Sequence, residues 1–107
     1  MVSRRISPLC IGRNALYSGY MKKSERFEKL FVEAMVRRVE AAGMSHSEFG
    51  RRVFGEGSGS RAWRATREKD RKRGLGIGEA YMMAEALEME FPALVWEVMQ
   101  EVKDRLN

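Results

Sequence analysis

Along most of this chain the apolar residues fall three and four positions apart, the spacing of one face of a helix, and few runs read as strands. The first helix is expected from about Ser24 to Ala42. Ser24 is placed to cap it, and Glu25 and Glu28 lie in the first turn, where the helix dipole favours negative charge. Phe27, Leu30, Phe31, Ala34 and Val39, with Met35 beside them, form its apolar stripe. Gly43 then stops it as a glycine just past a helix end does.

A second helix opens at Met44-Ser45-His46-Ser47-Glu48-Phe49. Ser45 and Glu48, three apart, have the pattern of a capping box, with Met44 and Phe49 placed to join as a hydrophobic staple. Phe49, Gly50 and Val53 give a short inner face, with Gly50 suited to close approach of another helix, and the helix ends near Phe54-Gly55. After the turn Gly55–Ser60, a third helix runs from Ser58 or Ser60 to about Glu68, with Ala62, Trp63 and Thr66 inside and Trp63 as the anchor. A fourth covers about Glu79 to Met89 and is expected to bury Tyr81, Ala84, Leu87 and neighbouring methionines. Phe91-Pro92 restarts the chain, with proline suited to a first turn. The fifth helix carries Leu94, Val95, Val98, Met99, Val102 and Leu106 on one stripe.

Composition agrees with an all-α bundle of five helices. The chain has 107 residues, 44% of them hydrophobic and 33% charged, which suits one domain with a real core. Cys10 is the single cysteine, so no intrachain disulfide can form, and the expected compartment is reducing, the cytoplasm. No run approaches the roughly 18 apolar residues of a membrane span. Residues 1–23 hold Arg4, Arg5, Arg13, Lys22 and Lys23 and no acid, with Gly, Ser and Pro and no periodicity, and read as a flexible basic arm. Ser3-Arg4-Arg5 is not an export signal, because Pro8, Arg13 and Asn14 break the apolar region that should follow. Two readings of the arm stand: an upstream extension, with Met21-Lys22-Lys23 resembling a translation start, or an arm that follows DNA phosphates or a minor groove. The domain proper is expected over 24–107.

Charge changes the picture most. Residues 51–73 carry nine basic side chains against Glu56, Glu68 and Asp70, whereas residues 74–107 carry two basic and seven acidic ones. Nine cations in one block repel one another unless a polyanion or counterions screen them. A solvated surface is the plain alternative, but the block sits on a helical pattern between neutral and acidic helices. Arg61, Arg64 and Arg67, three apart, share one edge of the third helix.

The order EAAGMSHSEFGRRVFG, a Gly/Ser turn, SRAWRATRE, a basic loop and LGIGEAYMMAEALEME resembles the lambda-repressor-like, or XRE, family of helix-turn-helix domains. The resemblance covers about residues 27–100. The glycine-rich turn FGEGSGS and a longer loop between Trp63 and Ala84 depart from the family pattern. What it implies is a compact five-helix bundle that binds duplex DNA, helix two crossing the backbone and helix three entering the major groove. By matching position, Ser58, Ser60, Arg61 and Arg64 would contact bases, an arginine pairing with guanine O6 and N7. Ser45, Arg51, Arg52, Arg67, Lys69, Arg71, Lys72 and Arg73 would hold phosphates, which position without specifying sequence. The implied role is a bacterial or phage transcriptional regulator, a repressor by default.

Other residues take plainer readings. His46, the only histidine, is expected at an exposed position of the second helix, suited to phosphate contact. The eight methionines read as adaptable core filler. Glu97, Glu101 and Asp104 read as the solvated face of the last helix. No nucleophile–base set or metal cluster suggests an enzyme, and no cofactor or metal is expected. Trp96 lies off the main stripe of the fifth helix, toward Met99, and the pair is expected to join two subunits as a homodimer reading a palindromic site. A protein-interaction module, such as an antitoxin or adaptor with only non-specific nucleic-acid affinity, is the alternative. RNA binding is disfavoured, because no aromatic stacking platform of Phe or Tyr interleaves the basic residues.

Overall fold

The computed structural model of the chain describes residues 22–68 and 74–106. The expected arm up to Met21 and the basic residues Lys69, Arg71, Lys72 and Arg73 therefore lie outside the described residues. Within them the chain is all-helical, in five helices followed by one 3₁₀ turn.

The first helix, α1 (Lys23–Ala41), starts one residue earlier than Ser24. Lys22 is its cap residue, and its amide donates to the Glu25 carboxylate at 3.1 Å. A carboxylate three residues into the helix thus does the work expected of the serine. At the far end Gly43 has φ +75°. Its amide donates to Glu40 O at 3.1 Å, and the Met44 amide donates to Val39 O at 3.2 Å. This paired closure needs a left-handed residue, which glycine supplies without a steric penalty.

The next two helices are α2 (His46–Phe54) and α3 (Gly59–Arg67). Ser45 Oγ accepts from the Glu48 amide at 3.0 Å. The return half of the expected box is replaced, because the Glu48 carboxylate turns along α2 to Arg52 Nη2 at 2.6 Å. α4 (Ile77–Ala86) begins two residues before the expected start, since Glu79 Oε1 reaches back to the Gly76 amide at 3.0 Å. It also ends before Met89. Glu88 adopts φ +58°, with its amide on Glu85 O at 3.0 Å and the Met89 amide on Ala84 O at 2.9 Å. The chain repeats the closure used after α1, but on a glutamate, so the sequence carries no glycine to announce it.

α5 (Phe91–Val102) has Pro92 in its first turn, and a 3₁₀ turn, Lys103–Arg105, tightens its end. Leu106 lies past the helix yet is buried. The core joins Leu30, Phe31, Ala34, Met35 and Val39 of α1 to Phe49 and Val53, Trp63, Met83 and Ala84, and Leu94, Val98 and Val102 of α5. Full burial of a large apolar side chain of this kind contributes roughly 1.5–3 kcal/mol. Thr66, buried among them, satisfies its hydroxyl on Ala62 O at 2.8 Å.

α1 and α5 are also joined by charge. Arg38 pairs with both Glu97 and Glu101, Arg37 reaches Glu101 at 3.3 Å, and Arg26 Nη1 donates to Leu106 O at 2.8 Å. Glu97 and Glu101 are therefore a clamp between helices and not simply a solvated face. The inner face expected of α4 is also corrected: Met83 and Ala84 are buried and Leu87 half-buried, but Met82 is exposed, and Tyr81 is 50% exposed, lying beside Phe91 with ring centres 5.9 Å apart.

Candidate nucleic-acid interface

The α2–α3 pair is built around two glycines that face one another. A Cβ on Gly50 would lie 2.7 Å from Gly59 O, and one on Gly59 would lie 2.5 Å from Gly50 O. Both separations are shorter than van der Waals contact and involve backbone, which cannot swing aside. The first turn of α3 is thereby pressed onto the middle of α2. The residues around the crossing agree with this: Ser47 and Ser60 bring their hydroxyl oxygens to 3.4 Å, and Phe49 meets Trp63 edge to face at 4.9 Å. Gly50 is legible in the sequence as a close-approach position, whereas Gly59 reads only as turn material.

On this base the expected contact residues divide into groups. Ser58, Arg61 and Arg64 are exposed on α3 and its cap, and Ser60 is half-buried against Ser47. No side-chain hydrogen bond caps the Ser58 end of α3. Ser45, Arg51 and Arg52 lie exposed on α2 and its cap. Arg52 is paired with Glu48, and Arg51 Nε stands 3.7 Å from Glu56 Oε1, both at the surface where such pairs are weak.

Arg67 departs from its two partners on α3. Its guanidinium stacks over Trp63, 5.4 Å from the ring centre, and its Nε is buried with no hydrogen-bond partner among the described residues. Burial, and then the neighbouring charge of Arg64, push its pKa below the usual arginine value, while Glu40 opposes them. Sequence spacing alone placed Arg67 with Arg61 and Arg64; the structure uses it against the indole.

His46 holds a role that the sequence did not suggest. Trp63 Nε1 donates to His46 Nδ1 at 3.0 Å, and His46 Nε2 lies 3.0 Å from Glu40 Oε2. An indole N–H can only donate, so Nδ1 is the acceptor and Nε2 carries the proton toward Glu40. The ring is half-buried, not exposed as expected, and it links the end of α1 to the start of α2 and the middle of α3. The signal that could have found it is the pair His46 and Trp63, each facing inward from its own helix.

A second face is different in kind. The large exposed hydrophobics found among the described residues, Ile77, Tyr81, Met82, Trp96 and Met99, all lie on α4 and α5, with Ile77 79% and Trp96 64% exposed. Phe91, Pro92, Val95, Trp96 and Met99 line one shallow concavity. An adjoining groove of about 450 Å³ is walled by Phe27, Phe31, Leu75, Ile77, Phe91 and Val95. Glu85, and more weakly Glu90, hold the Tyr81 phenol above its usual range, a sign of the negative charge on this side.

Among the described residues no helix is long and apolar enough to cross a membrane, and no group of three or more His, Cys, Asp or Glu side chains is placed to hold a metal ion. No protein-family model, curated protein or solved structure matches the chain.

Proposed function

We propose that this chain is a sequence-specific duplex-DNA-binding protein of the lambda-repressor-like helix-turn-helix type, acting in the cytoplasm on the nucleoid as a transcriptional regulator, most simply a repressor, and not as an enzyme. The observation that carries the reading is the exposed Ser58, Arg61 and Arg64, with half-buried Ser60 beside them, on a short helix held at a fixed crossing by the Gly50–Gly59 contact. A helix of this length, with an uncapped positive end and arginines on its outer edge, has the shape and charge to enter a major groove.

In this reading α3 reads base edges and α2 lies across the backbone. The amides of the first turn of α2, behind Ser45, face a phosphate, as helix N-termini favour anions. Arg51 and Arg52 exchange their surface glutamates for phosphate oxygens, and the charges of Lys69, Arg71, Lys72 and Arg73 add to the attraction for phosphate. Trp96 and Met99 join two copies across a two-fold axis, so that two α3 helices read the halves of a palindrome.

The test is selection from a random duplex pool at low and high salt. Enrichment of one motif that Arg61→Ala relaxes, while Arg52→Ala weakens all sequences alike, supports the reading. Binding with no enriched motif, lost steeply with salt, removes it. The exposed apolar face of α4 and α5 favours a second reading, an interaction module such as an antitoxin or adaptor. That reading expects a partner protein to protect Ile77 and Trp96 and no motif to emerge.

A further inference from the structure

We propose that His46 is the positioning residue of the α3 reading helix, and that its neutral form, protonated on Nε2, is the state in which α3 is correctly seated. The geometry is a chain of contacts: Glu40 Oε2 to His46 Nε2 at 3.0 Å, His46 Nδ1 to Trp63 Nε1 at 3.0 Å, and Arg67 over the indole at 5.4 Å. Trp63 is fully buried in the middle of α3, two residues beyond Arg61 and one before Arg64. Any roll of Trp63 therefore turns the outer arginines with it.

Neutral His46 offers Trp63 a lone pair. A second ring proton would sit on Nδ1 and face the indole N–H, donor against donor. The buried indole would then lose its acceptor, at the full desolvation cost of an unpaired donor. Among the charged groups around this chain of contacts, Glu40 from α1 meets the ring at Nε2, and Arg67 from α3 lies over the indole, with Arg64 beside it. Protonation therefore strengthens the Glu40 side and breaks the Trp63 side, and the ring moves from α3 toward α1. The ring is half-buried, so solvent protons reach it.

The link from α3 seating to DNA rests on the function proposed above, and the experiment separates the two. Duplex affinity of the full chain is compared between about pH 8 and about pH 5.5, a range over which imidazole side chains in general gain a proton. His46 is the only histidine. The expected result is a loss of about tenfold in affinity on acidification, as the competent fraction falls. His46→Asn, which places an amide oxygen near the Nδ1 position and does not titrate, should bind nearly as wild type and lose the pH dependence. His46→Phe, which keeps a ring but no acceptor, should bind weakly at every pH, while urea titration shows the chain folded at the assay temperature. Trp63 emission, read in a Trp96→Phe background, should shift with acid when His46 is present and stay constant with Asn. An unchanged acid response in His46→Asn, or wild-type affinity in His46→Phe, overturns the proposal. Absence of duplex binding at any pH, with the Trp63 emission still responding through His46, leaves the seating of α3 standing and removes the DNA reading instead. Constant emission in the wild type removes the seating itself.

Discussion

The α2–α3 face and the α4–α5 face of this molecule solve opposite problems. On the first, backbone meets backbone at Gly50 and Gly59, the indole of Trp63 is hydrogen-bonded, and the outward residues are serines and arginines. On the second, Ile77, Tyr81 and Trp96 stand in solvent, the charges acting on Tyr81 are the carboxylates of Glu85 and Glu90, and a glutamate occupies a left-handed position that glycine would fill more easily. Rigidity and positive charge are concentrated on one side, exposed apolar area and local strain on the other. A reading surface needs fixed geometry, whereas a surface awaiting a partner can leave its hydrophobic area open.

The largest expected effect comes from breaking the tight side. Gly50→Ala puts a methyl carbon 2.7 Å from Gly59 O, and Gly59→Ala puts one 2.5 Å from Gly50 O. Neither obstacle is a flexible side-chain end, so the helices must separate, at a cost of about 3 kcal/mol. Urea denaturation should show the midpoint falling sharply for both. A loss below about 0.5 kcal/mol, the range of ordinary surface changes, would mean that the crossing is not tight in solution. Trp96→Ala, on the other face, should leave monomer stability within that range while abolishing any dimer in sedimentation; a monomer in both wild type and variant removes the proposed pairing.

The next effect concerns recognition. Arg61→Ala should cost about 1–3 kcal/mol at one position of the selected motif and relax preference there. Arg67→Ala should behave differently, because Arg67 lies over Trp63. Its expected signature is lowered stability with the base preference intact. Equal relaxation of the motif by both variants would return Arg67 to the outer edge with Arg61, where spacing alone had put it.

What the sequence made legible follows the same division. Helix spans could be read because apolar spacing, Gly43 and the Ser45 cap are local signals. Boundaries slipped where a glutamate did a job usually signalled by another residue: Glu25 and Glu79 reaching back as caps, and Glu88 taking the left-handed turn. The outer residues of the candidate interface were legible from charge. Its inner frame was not, because Gly59, His46 and Arg67 take their roles from a neighbouring helix and not from their own. Likewise Arg38 with Glu101 is far apart in sequence, and neither residue alone announces the clamp.

A smaller effect sharpens the contrast from the loose side. Glu88 at φ +58° bears the steric cost of a left-handed non-glycine residue. Glu88→Gly should raise stability by about 1 kcal/mol. The Glu88 side chain is exposed, so the gain should appear as a higher urea midpoint. The equivalent closure after α1 already has its glycine, and Gly43→Ala should lower stability by a similar amount. If both changes move stability in the same direction, the two turns are not closed by the same left-handed geometry.

The smallest effect is the clamp between α1 and α5. Hydrogen bonding to Arg38, ahead of the charge attraction, holds the Glu101 carboxyl below its usual range, and the same contact raises Arg38. A carboxyl depressed in the folded state adds stability above its unfolded pKa and loses it as pH falls through the folded value. Wild type should therefore lose stability relative to Arg38→Met as pH drops below about 4.3, the ordinary glutamate value. Because Glu101 and Glu97 are partly exposed, the whole difference at neutral pH should stay under about 1 kcal/mol and shrink with added salt. The two chains should converge in acid, where Glu101 is protonated in both. A gap that persists there would show that Arg38 stabilises the α1–α5 contact through its stem and not through its charge. Since Arg38 lies away from the α2–α3 crossing, duplex affinity at neutral pH should be the same in both chains.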